Sequence, residues 1–197
     1  MAKSDGKAVS KGKGILERLT GAGDSESDQR APLATKMLKE QHDEVRSLFK
    51  QYEGSGEGAH AARKKLIDEA CKVLEVHAQL EERIFYPACR NLEDEKARKM
   101  VGESLEEHLI VKRLIQELGG LNGTDEKFES KATVLKESVE HHADEEEKDL
   151  FPEVEKELDD DRLRELGSEM EALKARLTSG RKAPKSQKAA ARRGARP

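Results

Sequence analysis

The sequence predicts an all-α chain folded as an antiparallel, up-down four-helix bundle, and three observations carry that expectation. Apolar residues recur at three- and four-residue spacing over four long stretches, with scarcely any run alternating as a strand would. Charged residues make up 40% of the 197 residues and aromatics 3%, a balance suited to helices with a large solvated surface. One stretch is also written twice: His77-Ala-Gln-Leu-Glu81-Glu82-Arg-Ile-Phe-Tyr86-Pro87 returns 65 residues later as His142-Ala-Asp-Glu-Glu146-Glu147-Lys-Asp-Leu-Phe151-Pro152. A further histidine precedes each copy, His42 by 35 residues and His108 by 34. The chain therefore reads as one helix pair duplicated.

Residues 1–30 mix Lys, Gly, Ser and Asp and are expected to form a disordered leader. The bundle is expected over residues 31–158. Its first helix, residues 33–52, has Leu38, Val45, Phe49 and Tyr52 in a stripe that also contains His42, and Gly54 to Gly58 end it. The second, residues 59–89, puts Leu66, Ala70, Val73, His77, Leu80, Glu81 and Ile84 on one side. Pro87, lacking an amide hydrogen, should kink or end it. The third, residues 94–118, carries Val101, Leu105, His108, Val111, Ile115 and Leu118 before Gly119-Gly120. The fourth, residues 125–158, carries Phe128, Ala132, Leu135, Val139, His142, Glu146 and Leu150. Leu163, Leu166, Met170, Leu173 and Leu177 behind three aspartates predict an additional C-terminal amphipathic helix over residues 159–178. Residues 179–197 read as a basic disordered tail.

No run of 18 apolar residues and no apolar leader occurs, so neither a transmembrane helix nor a secretory signal is expected. Cys71 and Cys89 stand 18 residues apart on or beside one helix, which would separate them by about 27 Å, too far to bridge. Reduced thiols and a cytoplasmic location follow as expectations. Residues 31–178 hold 24 Lys+Arg against 36 Asp+Glu, whereas residues 179–197 hold seven Lys+Arg and no acid. An acidic body with a basic tail results. The tail could make weak, sequence-independent contact with nucleic acid, since it has no aromatic residue for stacking.

In each copy the His and Glu are four apart and project from one helix face, where leucines are expected. Two carboxylates turned into a bundle repel each other and lose hydration at a cost of several kcal/mol each, which divalent cations remove. A lone histidine on an apolar face is more often a hydrogen-bonded core residue than a ligand. Four of them, two in a repeated His-x-x-x-Glu, point instead to a dinuclear site of His42, His77, Glu81, His108, His142 and Glu146. His42 and His77 would serve one ion and His108 and His142 the other, with Glu81 and Glu146 bridging. Imidazole and carboxylate together suit iron, manganese or zinc rather than calcium. Glu82 and Glu147 fall one residue beyond the inward face and read as solvated or as supports for the ligands.

These residues resemble those of the hemerythrin family, in particular the bacterial HHE cation-binding domains, over about residues 33–158. The resemblance implies a hemerythrin-like bundle holding two iron ions without haem, whose partners are a small gas or peroxide (dioxygen, nitric oxide or hydrogen peroxide) and a redox partner that leaves no mark in the sequence. It implies His42, His77, Glu81, His108, His142 and Glu146 as ligands. Two departures stand out. Oxygen carriers of the family have a second histidine four residues before or after the third-helix one, where this chain has Ser104 and Lys112, and their last pair is His with Asp five residues on, where this chain has Glu at four. Redox turnover, iron handling or sensing is thereby favoured over reversible oxygen carriage, and the alternative expectation is an iron or redox sensor whose basic tail touches nucleic acid.

Overall fold

The helix-period stripes each become a helix. The computed structural model describes residues 30–56 and 58–179, so the expected leader and basic tail lie outside the described residues, apart from Arg30 and Ser179. Helix α1 is Ala34–Gly54, α2 is His60–Leu80, α4 is Glu95–Gly119 and α5 is Glu126–Glu145. The Asp94 side chain caps α4 by accepting from the Ala97 amide at 2.6 Å, which satisfies one of the first-turn donors a helix leaves free. Cross-helix pairs run antiparallel around the bundle: Arg46 with Asp144 and Lys136 with Glu53 tie α1 to α5, while His108 with His142 and Lys131 with Glu117 tie α4 to α5. No strand occurs among the described residues.

The second and fourth helices are not continuous; a break at Pro87 was expected, whereas the fourth helix was read as unbroken over residues 125–158. Each is interrupted by a π-helical turn, π1 at Glu81–Phe85 and π2 at Glu146–Leu150, followed by short helices α3 (Tyr86–Cys89) and α6 (Phe151–Glu157). The Tyr86 amide donates to the Glu81 carbonyl and the Phe151 amide to the Glu146 carbonyl, five residues back. The cause is the proline. A residue without an N–H and with a ring that crowds the preceding turn is accommodated by widening that turn. Pro87 and Pro152 accordingly sit at the start of α3 and α6, and the chain runs on in helical form.

Helix α7 (Asp160–Ser179) opens with the Asp159 carboxylate accepting from the Arg162 amide at 2.8 Å. Its buried face of Leu163, Leu166, Met170 and Leu173 packs in one cluster with Met37, Leu38, Val76 and Leu80 of the first hairpin. At Gly167 α7 passes close to the chain, since a Cβ there would run into the Pro32 carbonyl oxygen.

The core falls into two apolar clusters. One joins Leu38, Leu80, Phe85, Tyr86, Val101, Leu150 and Phe151 with α7. The other joins Val45, Phe49, Ile67, Leu74, Val111, Ile115, Leu135 and Val139. Between the two clusters lie the buried polar residues Gln41 and His42 of α1, His77 of α2, Glu81 of π1, Ser104 and His108 of α4, His142 of α5 and Glu146 of π2, so a hydrophilic layer is sandwiched inside the bundle.

Candidate metal centre

That layer contains His42, His77, Glu81, His108, His142 and Glu146, all buried, with Glu81 0% and Glu146 1% exposed. The structure brings all six side chains together. His42 Nε2 lies 3.1 Å from His77 Nε2, and His108 Nε2 lies 3.3 Å from His142 Nε2. Glu81 Oε2 stands between the halves, 3.1 Å from His77 Nε2 and 3.2 Å from His108 Nε2. Glu146 Oε2 does likewise, 3.4 Å from His42 Nε2 and 3.6 Å from His142 Nε2. The ligand-type atoms fall into two overlapping groups, His42, His77, Glu81 and Glu146 in one and Glu81, His108 and His142 in the other.

Each imidazole is held from behind through Nδ1. Glu147 Oε1 lies 3.0 Å from His42 Nδ1 and Glu82 Oε1 2.9 Å from His108 Nδ1. Glu107 Oε2 lies 2.8 Å from His142 Nδ1, and Gln41 Oε1 3.2 Å from His77 Nδ1. Oxygen acceptors behind the rings fix Nδ1 as the protonated nitrogen, so each Nε2 lone pair points inward. The carboxylates behind the rings are themselves anchored, Glu147 by Arg46 at 2.7 Å and Glu82 by Lys112. Lys112 thus has a defined task.

The inward atoms are then all acceptors. Four lone-pair nitrogens face carboxylate oxygens of which Glu81 Oε1, Glu81 Oε2 and Glu146 Oε2 have no hydrogen-bond partner. Such a cluster is repulsive unless a positive charge sits in it. Spacings of 3.1–3.6 Å between neighbouring donors match the edges of a polyhedron whose ligands lie about 2.0–2.2 Å from a cation. Protons can supply that charge too. Burial pushes His142 down, but Glu146 and Glu107 outweigh it and raise its pKa to about 9. His42 and His108 are raised in the same way against their burial, by Glu146 and Glu81 respectively. His77, backed by an amide instead of a carboxylate, is lowered by its burial. Glu81 is held well below the carboxylate range because the facing His77 and His108 overcome the cost of burying it.

A sequence model of the hemerythrin HHE cation-binding domain matches residues 33–154, more than half of the chain. The chain belongs to the hemerythrin HHE cation-binding family. A crystal structure of an HHE cation-binding domain-containing protein from Mycobacterium kansasii superimposes with a TM-score of 0.63 at 28% identity, covering 76% of this chain and 89% of that one. A DNA nickase from Nostoc sp. is 22% identical over 151 residues, which is 77% of this chain and 42% of the nickase. This chain thus spans less than half the length of that relative.

The two halves of this HHE centre are not equivalent. Tyr86 and Phe151 occupy matching positions, but Tyr86 Oη donates to Glu146 Oε1 at 2.8 Å and lies 3.5 Å from His108 Nε2, while Phe151 stacks on His42 with planes 4° apart. Burial, then Glu81 and Glu146, push the Tyr86 phenol well above its ordinary range. Sequence reasoning assigned no part to Gln41 or Glu107. The available signal was their position, each immediately before an inward histidine of α1 or α4. His141 and His60, the remaining two histidines, are exposed. His141 Nε2 pairs with Glu145 Oε1 at 3.3 Å. Both cysteines are free and buried, and burial pushes the Cys71 thiol up to about 12. No helix among the described residues is long and apolar enough to cross a membrane.

Proposed function

We propose that this HHE domain holds two iron ions, one by His42 and His77, the other by His108 and His142, with Glu81 and Glu146 shared, and that the pair binds or reacts with dioxygen, peroxide or nitric oxide. The observation that carries the reading is the inward set of four Nε2 lone pairs and two buried carboxylates, three of whose four oxygens have no hydrogen-bond partner, with every Nδ1 engaged outward. Two imidazoles and shared carboxylates per ion suit iron, and the same ligands accept manganese or zinc. When bound, an iron pair would supply one- and two-electron exchange with a small ligand. The protein does the rest. Glu82, Glu107, Glu147 and Gln41 keep the rings aimed, and Phe85, Leu80 and Leu150 on one side with Val45 and Val139 on the other keep the layer dry. Tyr86 Oη holds a proton beside the His108 half, on a side where the His42 half offers only the Phe151 ring.

The test is elemental analysis and a visible spectrum of protein from iron-replete cells, followed by peroxide titration of the ferrous protein. Two irons per chain and peroxide loss beyond the stoichiometric amount support a reactive iron centre. Stoichiometric loss alone removes turnover and leaves binding, and zinc at full occupancy sinks the iron assignment.

A second reading is favoured by the Nostoc nickase. In it metal occupancy sets the stability of the bundle and the seven Lys+Arg of residues 179–197 touch nucleic acid electrostatically. A salt-dependent shift assay comparing the full chain with one ending at Ser179 separates it from the first. Equal shifts by both chains dismiss the tail.

A further inference from the structure

The duplication provides an internal control for the surface. His42 is followed by Asp43 and Glu44, and His108 by Leu109 and Ile110; all four residues are exposed. Equal positions in equivalent helices thus present charge on α1 and bare aliphatic side chains on α4. Leu109 and Ile110 are 58% and 56% exposed, and Val134 on α5 is the third large hydrophobic of this kind among the described residues. Scattered apolar surface needs no explanation, but an adjacent pair where the duplicate keeps two acids does.

The sequence around the pair is self-complementary when read against its own reverse. Residues 105–114 run Leu-Glu-Glu-His-Leu-Ile-Val-Lys-Arg-Leu. Antiparallel pairing about a twofold axis between Leu109 and Ile110 sets Leu109 against Ile110, Glu106 against Arg113, and Leu105 against Leu114, each pair occurring twice. Glu106 and Arg113 are seven residues apart, two helical turns, so they lie on the same face as the apolar pair and flank it. Both are exposed, and Arg113 engages only Glu117, at 2.6 Å, among the contacts the structure gives it. Extending the register outward sets Glu103 against Gln116 and Gly102 against Glu117, so no like charges meet. The same operation on α1 would put Asp43 against Glu44, a repulsive centre.

We infer that the α4 face formed by Glu106, Leu109, Ile110 and Arg113 docks a second copy of this chain, α4 against α4 in antiparallel register. Charge complementarity about the twofold axis identifies the occupant. A helix of another protein would have no reason to mirror this pattern, whereas a second copy does so necessarily in an isologous interface. One helix face per protomer falls short of the roughly 1,200–2,000 Å² that stable complexes bury, so the dimer is weak and concentration-dependent.

Sedimentation and light scattering of the metal-loaded full chain, from roughly 10 µM to 1 mM, test this. The expected result is a mass rising from 22.0 kDa toward twice that value. Ile110→Glu should hold the mass at the monomer value with helicity and metal content unchanged, which separates loss of docking from loss of folding. Glu106→Arg and Arg113→Glu should each weaken association at least tenfold, and the two together should restore it, because the exchange re-creates both cross-pairs. A monomer at every concentration overturns the inference, as does a dimer that survives Ile110→Glu or a double variant no better than the singles. Protection of Leu109 and Ile110 amides that disappears on deleting residues 1–29, in a chain that stays monomeric, overturns it in favour of the leader as occupant.

Discussion

Glu81→Gln is the sharpest test of a shared centre. The Glu81 carboxylate is fully buried, receives no hydrogen bond, and lies at nearly equal distance from His77 of one half and His108 of the other. Converting it to an amide would remove a negative ligand from both proposed cations with little change of shape. Breaking a buried charge interaction from one side costs about 3–5 kcal/mol, so each affinity should fall by roughly 10²–10⁴-fold. With free metal at 100 times the wild-type dissociation constant, linkage stabilises the folded protein by about 2.7 kcal/mol per site; a 100-fold weaker site keeps about 0.4 kcal/mol. The loss is about 2.3 kcal/mol per site and about 5 kcal/mol for two, equal to roughly 10–15 °C in melting temperature for a domain of this size. Thermal melts with and without iron, together with metal content after dialysis at fixed free metal, read both quantities. The control is Glu82→Ala, which takes the acceptor from His108 Nδ1 alone and should weaken one site by roughly 10–100-fold. If metal titration of Glu81→Gln leaves the affinity of either site at its wild-type value, the carboxylate is not shared and the two-ion geometry is wrong.

Three further outcomes are expected. Glu107→Ala removes the acceptor behind His142 and should weaken one of two ions by roughly 10–100-fold in a competitive chelator titration, leaving the other unchanged. In metal-free protein the His142 pKa of about 9 lies above the ordinary 6.5. Its stabilisation is therefore complete below pH 6.5 and lost as pH rises through 9, with His42 and His108 acting in the same sense and His77 in the opposite one. Denaturant unfolding at pH 6.5 and pH 9.5 should show the metal-free chain less stable at the higher pH, whereas metal affinity rises over that interval because the ions need unprotonated imidazole. Gly167→Ala should cost about 1–3 kcal/mol by forcing α7 off the Pro32 carbonyl, read as a lower melting temperature in metal-free and loaded protein alike.

What the sequence made legible was whatever the two hairpins share. His42, His77, Glu81, His108, His142 and Glu146 all fall in the apolar stripes, and a side chain's phase on a helix is fixed by its number, so their convergence followed from period and repetition alone. The π-helical turns were not legible, because periodicity is blind to one widened turn. Only Pro87 and Pro152, each inside a pattern that continues past it, hinted at them. The roles of Gln41 and Glu107 were hidden because the face behind a ligand is neither apolar nor periodic, and nothing local says which ring it will meet across the bundle. The path of α7 was equally closed: its stripe was plain, but not that it would cover Val76 and Leu80 of the first hairpin.

The informative differences lie where the duplicated halves diverge. An amide backs His77 where a carboxylate backs His142, and a phenyl ring stacks on His42 where a phenol approaches His108. A carboxylate behind an imidazole makes it a more basic, more strongly donating ligand than an amide does. The His108 and His142 rings both have carboxylates behind them, Glu82 and Glu107, whereas the His42 and His77 pair has one, Glu147. Against that, the His42 half gathers both shared carboxylates within ligand spacing, while the donor group around His108 and His142 includes Glu81 alone and Glu146 Oε1 is engaged by Tyr86. The first half is therefore the better-filled coordination sphere, and the second has the stronger imidazoles and the freer position. Two identical sites would fill together. On the proposed function, these should fill in sequence, and the His108 half would be the one to meet a small ligand, beside the Tyr86 proton.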